Sequence, residues 1–248
     1  MDPFATVANN YDIMIDWPAR LARERPFFEQ LIGERPASRV LDVGCGTGHH
    51  SRLFAELGLE VIGLDPSEAM LARARELTLG ENPRFVLGGF TDIPTLPGVF
   101  DLVVVLGNTL AYAKNAADLA VILRRIGSVI APGGRLCLQV VNFDSLPVGE
   151  SRWLPLIHRE SDGRDYLFLR EYRRVGRQVE FTIISLIKNG EWNRMVERSM
   201  HFPLTGQEVA KALRRVGFGN VQLFGDYQRA PYESDKSPSL VVLAEMGV

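Results

Sequence analysis

The residues best suited to chemistry stand between positions 40 and 65 of a 248-residue chain. Val40-Leu41-Asp42-Val43-Gly44-Cys45-Gly46-Thr47-Gly48 is an apolar run that breaks into three alternating glycines, and the next apolar run ends in Asp65. A strand that turns at once into a helix needs glycine wherever a Cβ would stand between backbone and ligand. A nicotinamide-binding turn would read G-x-G-x-x-G, its last glycine letting helix and strand pack around a pyrophosphate. Counted from Gly44 and Gly46, that third position is His49, so the spacing argues for a different nucleotide-like ligand and leaves a dehydrogenase as the runner-up. An acid at a strand tip is placed to accept hydrogen bonds from a ribose diol. In an open parallel sheet such a ligand lies beyond the carboxyl ends of the strands.

The elements that must position these groups follow from the hydrophobic pattern. Continuous apolar runs at 39–43, 61–65, 85–87, 102–106 and 136–141 read as strands covered on both faces. Stretches of helical period separate them, which is the mark of βαβ units around a parallel sheet. Ser67 is the expected N-cap of a helix carrying Met70, Leu71, Ala74 and Leu77, and Asn115 that of one carrying Leu119, Ile122, Leu123 and Ile126. Ala131-Pro132-Gly133-Gly134 reads as the breaker between that second helix and the next strand. From about residue 164 to 202 polar and apolar residues alternate, as in antiparallel strands with one solvated face, and Asn189-Gly190 marks a hairpin. Thr205-Gly206-Gln207-Glu208 fits a capping box, and runs at 221–224 and 240–244 return the chain to the main sheet. The expected fold is therefore α/β: a doubly wound, seven-stranded, mostly parallel sheet with an inserted antiparallel β meander. It forms a single domain over residues 1–248, with 1–36 as an N-terminal helical cover and 152–202 as the inserted cap.

Composition narrows the function classes. With 46% hydrophobic and 23% charged residues the chain has the make-up of a folded soluble domain, not of a disordered scaffold. A net charge of −2 offers no field to hold a phosphate backbone, so DNA is not an expected partner. Between residues 150 and 201 ten Lys and Arg stand against eight Asp and Glu, a thin excess for tracking RNA. No apolar stretch is long enough for a membrane span, and the acidic start, Met1-Asp2-Pro3-Phe4, does not suit a signal peptide. Two cysteines, Cys45 and Cys137, both in apolar runs, make neither a disulfide framework nor a zinc cluster, and the expected setting is the cytoplasm. His49 and His50 read as residues that cap or decorate the first helix, and no metal is expected.

With these residues in view, the chain resembles the class I S-adenosylmethionine-dependent methyltransferases. Residues 40–48 look like their first motif and Val61-Ile62-Gly63-Leu64-Asp65-Pro66-Ser67 like their second. Within that superfamily it is similar to the glycine N-methyltransferase-like small-molecule enzymes. Phe100-Asp101-Leu102-Val103-Val104-Val105-Leu106-Gly107-Asn108-Thr109-Leu110-Ala111-Tyr112 looks like their fourth-strand motif, Asn142-Phe143-Asp144 like the segment after the fifth strand, and Gly225-Asp226-Tyr227 like a late strand ending.

The resemblance implies S-adenosylmethionine as cofactor and a small-molecule methyl acceptor. The backbone at Gly44 and Gly46 would contact the methionine part, Asp65 would hold the ribose hydroxyls, and Met70 would pack on the adenine, with Leu106 in the same pocket. Arg20 would pair with the cofactor carboxylate, and Tyr11 would reach the donor methyl region. Where many relatives carry an acid or amide for the adenine amino group, this chain has Gly88-Gly89-Phe90. That contact would fall to backbone such as Gly89 and to the Phe90 ring, or to Asp92. Asn108, Tyr112, Arg170 and Tyr172 are the candidate acceptor residues, while Tyr166, Phe168 and Tyr172 also read as a stripe packing the meander onto the core. No catalytic base is evident. An RNA-modifying methyltransferase and a non-catalytic cofactor-binding regulator are the alternative functions.

Overall fold

A computed structural model describes residues 5–247. Two helices, α1 (Ala5–Met14) and α2 (Trp17–Glu34), precede β1 (Arg39–Val43), α3 (His49–Glu56), β2 (Glu60–Asp65), α4 (Glu68–Glu76), β3 (Arg84–Leu87) and β4 (Phe100–Val105). They are followed by α5 (Ala116–Gly127) and β5 (Ile130–Val141). An excursion of five strands comes next: β6 (Ser151–Trp153), β7 (Ile157–Ser161), β8 (Arg164–Val175), β9 (Gln178–Asn189) and β10 (Glu191–His201). The chain then closes with α6 (Gly206–Arg215), β11 (Phe218–Phe224) and β12 (Ser239–Met246).

The first sheet has seven strands in the order β11-β12-β5-β4-β1-β2-β3. β1 pairs in parallel with β2 and β4, and only β12 runs against its neighbours. Successive side chains of a strand point to opposite faces, and the core divides accordingly. Leu41, Val103 and Leu138 meet α5 on one side, while Val40, Leu102, Val104 and Cys137 meet Phe27, Phe28 and Leu31 of α2 and Phe54 of α3 on the other. Each fully buried Phe or Leu of these layers contributes about 1.5–3 kcal/mol.

Local signals act where expected. Ser67 accepts from the Met70 amide, Asn115 from the amides of Ala117 and Asp118, and Thr205 with Glu208 completes the capping box of α6. Two details differ. The breaker 131–134 lies inside β5, in a bulge where Phe100 and Leu102 pair with Ile130 and Arg135 and where Gly133 takes φ +71°. At the hairpin, only Gly190 has a left-handed φ, +79°, while Asn189 stays extended in β9.

The second sheet has the order β10-β9-β8-β6, with β7 on β8. Three of its strands, β8, β9 and β10, are long; β6 and β7, of three and five residues, are too short to show a period in sequence. The aromatic stripe of β8 splits between two partners. Tyr166 and Phe168 pack with Met14 of α1, whereas Tyr172 joins the main core. Among the described residues no helix is long and apolar enough to cross a membrane.

Candidate active site

The carboxyl ends of β1, β2 and β4 open into a cavity of about 950 Å³, roofed by α1 and α2 and walled by the second sheet. At its rim the backbone is tightly committed. Gly44 has φ +73°, and a Cβ there would stand 2.3 Å from Thr109 Cγ2. Gly46, φ +54°, instead opens to the cavity, with Tyr11 Cε1 at 4.0 Å from its ideal Cβ position. Asp65, 7% exposed, ends β2 and accepts from the Gly46 amide through one oxygen and the Ser67 amide through the other, both at 2.9 Å. The turn after β1 is thereby tied to the tip of β2. Asp42 is buried behind it, accepting from Ser51 Oγ at 2.6 Å. Burial pushes its carboxyl up.

Two carboxylates that the sequence reading passed over clamp the helical roof onto this rim. Asp12 accepts from Thr47 Oγ1 (2.7 Å), His49 Nε2 (3.0 Å), Trp17 Nε1 (3.1 Å) and Arg73 Nε (3.2 Å). Burial alone would raise this carboxyl, but His49, Thr47 and Arg73 outweigh it and hold it below its ordinary value. Arg52 donates to His49 Nδ1, so the ring is the neutral tautomer with its proton on Nε2, and it stacks on Trp17 at 4.1 Å. Glu24, 2% exposed, receives Arg20 Nε at 2.9 Å and His50 Nε2 at 2.6 Å. These partners hold it low against the cost of burial. The expectation that His49 and His50 merely cap or decorate α3 is corrected: the N-cap is Gly48, and both rings join α3 to the roof.

Of the residues singled out in sequence, Tyr11, Arg20, Gly44, Gly46, Asp65, Met70 and Leu106 all line this one cavity, as do Asn108, Tyr112, Arg170 and Tyr172. Gly89 and Phe90 lie outside the lining. The Gly89 amide donates to Asp92 at 2.8 Å, and the Phe90 ring packs against the core. Asn142 and Asp144 tie the loop after β5 to later segments, through Ser234, Ser237 and Tyr232.

Asn108 joins the parallel sheet to the second one. It takes a left-handed φ of +72°, accepts from the Val141 amide at 2.6 Å and donates to the Tyr172 hydroxyl at 3.1 Å. Burial raises the Tyr172 phenol, which therefore stays neutral. The wall behind it is set by strand register. Directly opposite residues share a face, so Tyr172, Phe181 and Ser199 form one row, and Arg170, Ile183 and Glu197 the next, all lining the cavity. His201, 2% exposed at the end of β10, meets Tyr112 edge-on at 4.9 Å, and burial drops its pKa to about 4, so the ring is neutral. His201, Ser199 and Glu197 went unnoticed in sequence, although their parity along β10 matches that of an inward face. Away from the cavity, His158, Glu160 and Asp165 bring potential ligand atoms within 4.8 Å of one another at the surface of the second sheet, a grouping the sequence reading did not anticipate.

A family profile described as a methyltransferase domain matches residues 40–134, the segment that builds the rim. The glycine/sarcosine N-methyltransferase of Parasynechococcus marenigrum (strain WH8102) is 30% identical over 230 residues, covering 89% of this chain and 77% of that protein. The chain belongs to the class I S-adenosylmethionine-dependent methyltransferases. Solved methyltransferases share its fold throughout: CcbJ from Streptomyces caelestis superposes with a TM-score of 0.79 at 19% identity, covering 100% of this chain and 99% of that one. CalS10 from Micromonospora echinaspora, an amino pentose methyltransferase solved with S-adenosylmethionine bound, gives 0.73 at 22% identity, covering 99% and 97%. This methyltransferase uses S-adenosylmethionine as its methyl donor. The residues present fit that group: the cradle at Gly46 leaves room where a Cβ would intrude, a buried acid stands at the β2 tip, and Met70 and Leu106 supply an apolar surface beside it.

Proposed function

We propose that the enzyme methylates an amine nitrogen of a small molecule held between the glycine rim and the wall of the second sheet. The observation that carries this reading is the wall itself: one continuous cavity extends from Gly44 and Asp65 to Arg170, Tyr172 and Glu197, so a small acceptor can lie beside the cofactor. The activities of related enzymes, methylation of glycine and sarcosine and of an amino pentose, support an amine acceptor. A cavity of about 950 Å³ suits a small molecule better than RNA or DNA, and the two buried, unbridged cysteines suit a cytoplasmic setting.

In this reading the backbone at Gly44 and Gly46 takes the methionine part of the cofactor. Asp65, at the tip of β2, takes its ribose hydroxyls. Met70 and Leu106 take the adenine. Arg20, positioned by Glu24, offers its planar fork to the cofactor carboxylate. When bound, S-adenosylmethionine supplies a methyl carbon made electrophilic by the adjacent sulfonium. The chain's own tasks are alignment and exclusion of water. Tyr11 flanks the donor end, and Asn108, Tyr112, Arg170 and Tyr172 orient the acceptor. A neutral amine carries its own nucleophilic lone pair, which agrees with the absence, among the described residues lining the cavity, of a histidine poised as a base: burial holds the pKa of His201 at about 4, which makes it a weak base, and His50 is bonded to Glu24.

The test is a screen with methyl-labelled S-adenosylmethionine against glycine, sarcosine, ethanolamine and amino sugars, each beside its hydroxyl counterpart. Transfer to amines is expected. Transfer confined to hydroxyl compounds, or to RNA added in parallel, would overturn the reading.

A further inference from the structure

Six acids line the cavity, and five of them are engaged by the protein. Asp16 accepts from the Ala19 amide and pairs with Arg159; Glu24 holds Arg20 and His50; Asp42 holds Ser51; Asp65 holds the amides of Gly46 and Ser67; and Asp226 holds those of Gln228 and Ala230. Glu197 has neither a hydrogen bond nor an ion pair among the described residues. It is half-buried on β10, and burial alone pushes its carboxyl up, with no nearby cation to counter it. Register fixes where it stands. Glu197 is opposite Ile183, and Ile183 is opposite Arg170, so acid, apolar spacer and guanidinium form one row facing the cavity. Two strand spacings separate the Glu197 and Arg170 backbones by roughly 10 Å, too far for the pair to neutralise itself without reaching across the spacer. Among the described residues the Arg170 side chain bonds only the Pro155 carbonyl, and its Nε is buried without a partner.

A half-buried carboxylate is costly unless something pairs with it. The protein pairs the other five acids of this cavity and leaves this one turned to the space where the acceptor must lie. We propose that Glu197 is a specificity-determining residue that receives the acceptor amine in its ammonium form, which gives up its proton to solvent before the nitrogen lone pair attacks the methyl carbon, so that the wall selects basic amines over neutral hydroxyl compounds of the same shape. The inference rests on the amine reading given above and adds the group that recognises the amine. Arg170, one row-width away, is left to meet an anionic substituent when the acceptor carries one.

The experiment compares the wild-type enzyme with Glu197→Gln, which keeps shape and removes charge, and Glu197→Asp, which keeps charge. The probes are those amines of the panel, glycine, sarcosine, ethanolamine and amino sugars, that the wild type methylates. Losing a charge-assisted contact should raise KM for the amine about 10- to 100-fold in Glu197→Gln. It should leave kcat within about threefold and leave the affinity for S-adenosylhomocysteine, read by calorimetry, unchanged, while Glu197→Asp should recover part of the loss. An unchanged KM in Glu197→Gln on an amine that the wild type turns over would overturn this inference and leave the amine reading standing. A wild-type enzyme that methylates none of the amines would overturn the amine reading, and this inference with it.

Discussion

The rim of the parallel sheet and the wall of the antiparallel sheet face each other across one cavity, yet they treat their polar groups in opposite ways. On the rim, Asp65 is held by two backbone amides, Asp42 by Ser51, and Asp12 and Glu24 by several donors each. On the wall, Glu197 has no partner among the described residues and Arg170 only a carbonyl. A rim whose hydrogen bonds are already made is preorganised and presents one shape to one ligand. A wall with unspent charge gains its compensation from whatever enters, so changes in its side chains can alter the acceptor without rebuilding the site. The two meet at Asn108, which bonds both the Val141 amide and the Tyr172 hydroxyl.

The comparison breaks most sharply at Gly44. Ala there must hold a left-handed φ and place its methyl against Thr109, which together cost about 2–5 kcal/mol. Gly44→Ala should weaken S-adenosylhomocysteine binding by more than about 100-fold by calorimetry, or lower the melting temperature strongly. A variant with normal affinity and stability would show that the rim is not tight.

Asp65→Ala comes next. It removes a carboxylate that holds two amides and, in the proposed reading, the ribose. Cofactor affinity should fall about 10- to 100-fold, with KM for the acceptor little changed. If acceptor KM rose instead and cofactor affinity held, the division between rim and wall would fail.

Acidity separates the regions in another way. His201 has a folded pKa of about 4, below its unfolded value, so the unfolded chain binds its proton first as pH falls. Stability should be level near pH 7 and drop as pH falls through 6.5 toward 4, on the order of 3 kcal/mol from this ring alone. Glu24 and Asp12, whose folded pKa values are lowered, contribute stability that starts to fall away as pH enters the ordinary carboxylate range and is gone below their own depressed values. Melting temperatures should therefore start to fall near pH 6.5 and go on falling through the carboxylate range, and His201→Phe should delay the onset to that range. A wild-type curve flat between pH 6.5 and 4.5 would contradict the burial assigned to this ring.

The smallest effect sharpens the junction. Tyr172→Phe deletes only the hydroxyl that meets Asn108, a bond worth about 0.5–1.5 kcal/mol. Acceptor kcat/KM should drop about 3- to 10-fold at saturating cofactor. Cofactor affinity reduced by the same factor would mean that Asn108 serves the rim through this bond and not the wall.

What the chain's linear order determined is what depends on neighbours in sequence. Apolar runs of strand length, helix caps at Ser67, Asn115 and Thr205, and the glycine turn with an acid at the next strand tip are local patterns, because turn geometry and backbone capping act over a few residues. They sufficed for the doubly wound sheet and for a nucleotide-like ligand at its rim, while the family resemblance those motifs carry named the cofactor and pointed to eleven of the residues that line the cavity. What only the tertiary structure decided is pairing between distant segments. Asp12 meets Thr47, His49 and Arg73, and Glu24 meets His50, only after α1 and α2 fold across the rim. The row Glu197–Ile183–Arg170 exists only once three strands adopt one register, and a slip of one residue would turn every member to the other face. An unpaired carboxylate cannot be recognised from its own neighbours in sequence, because being unpaired is a property of everything the fold brings around it.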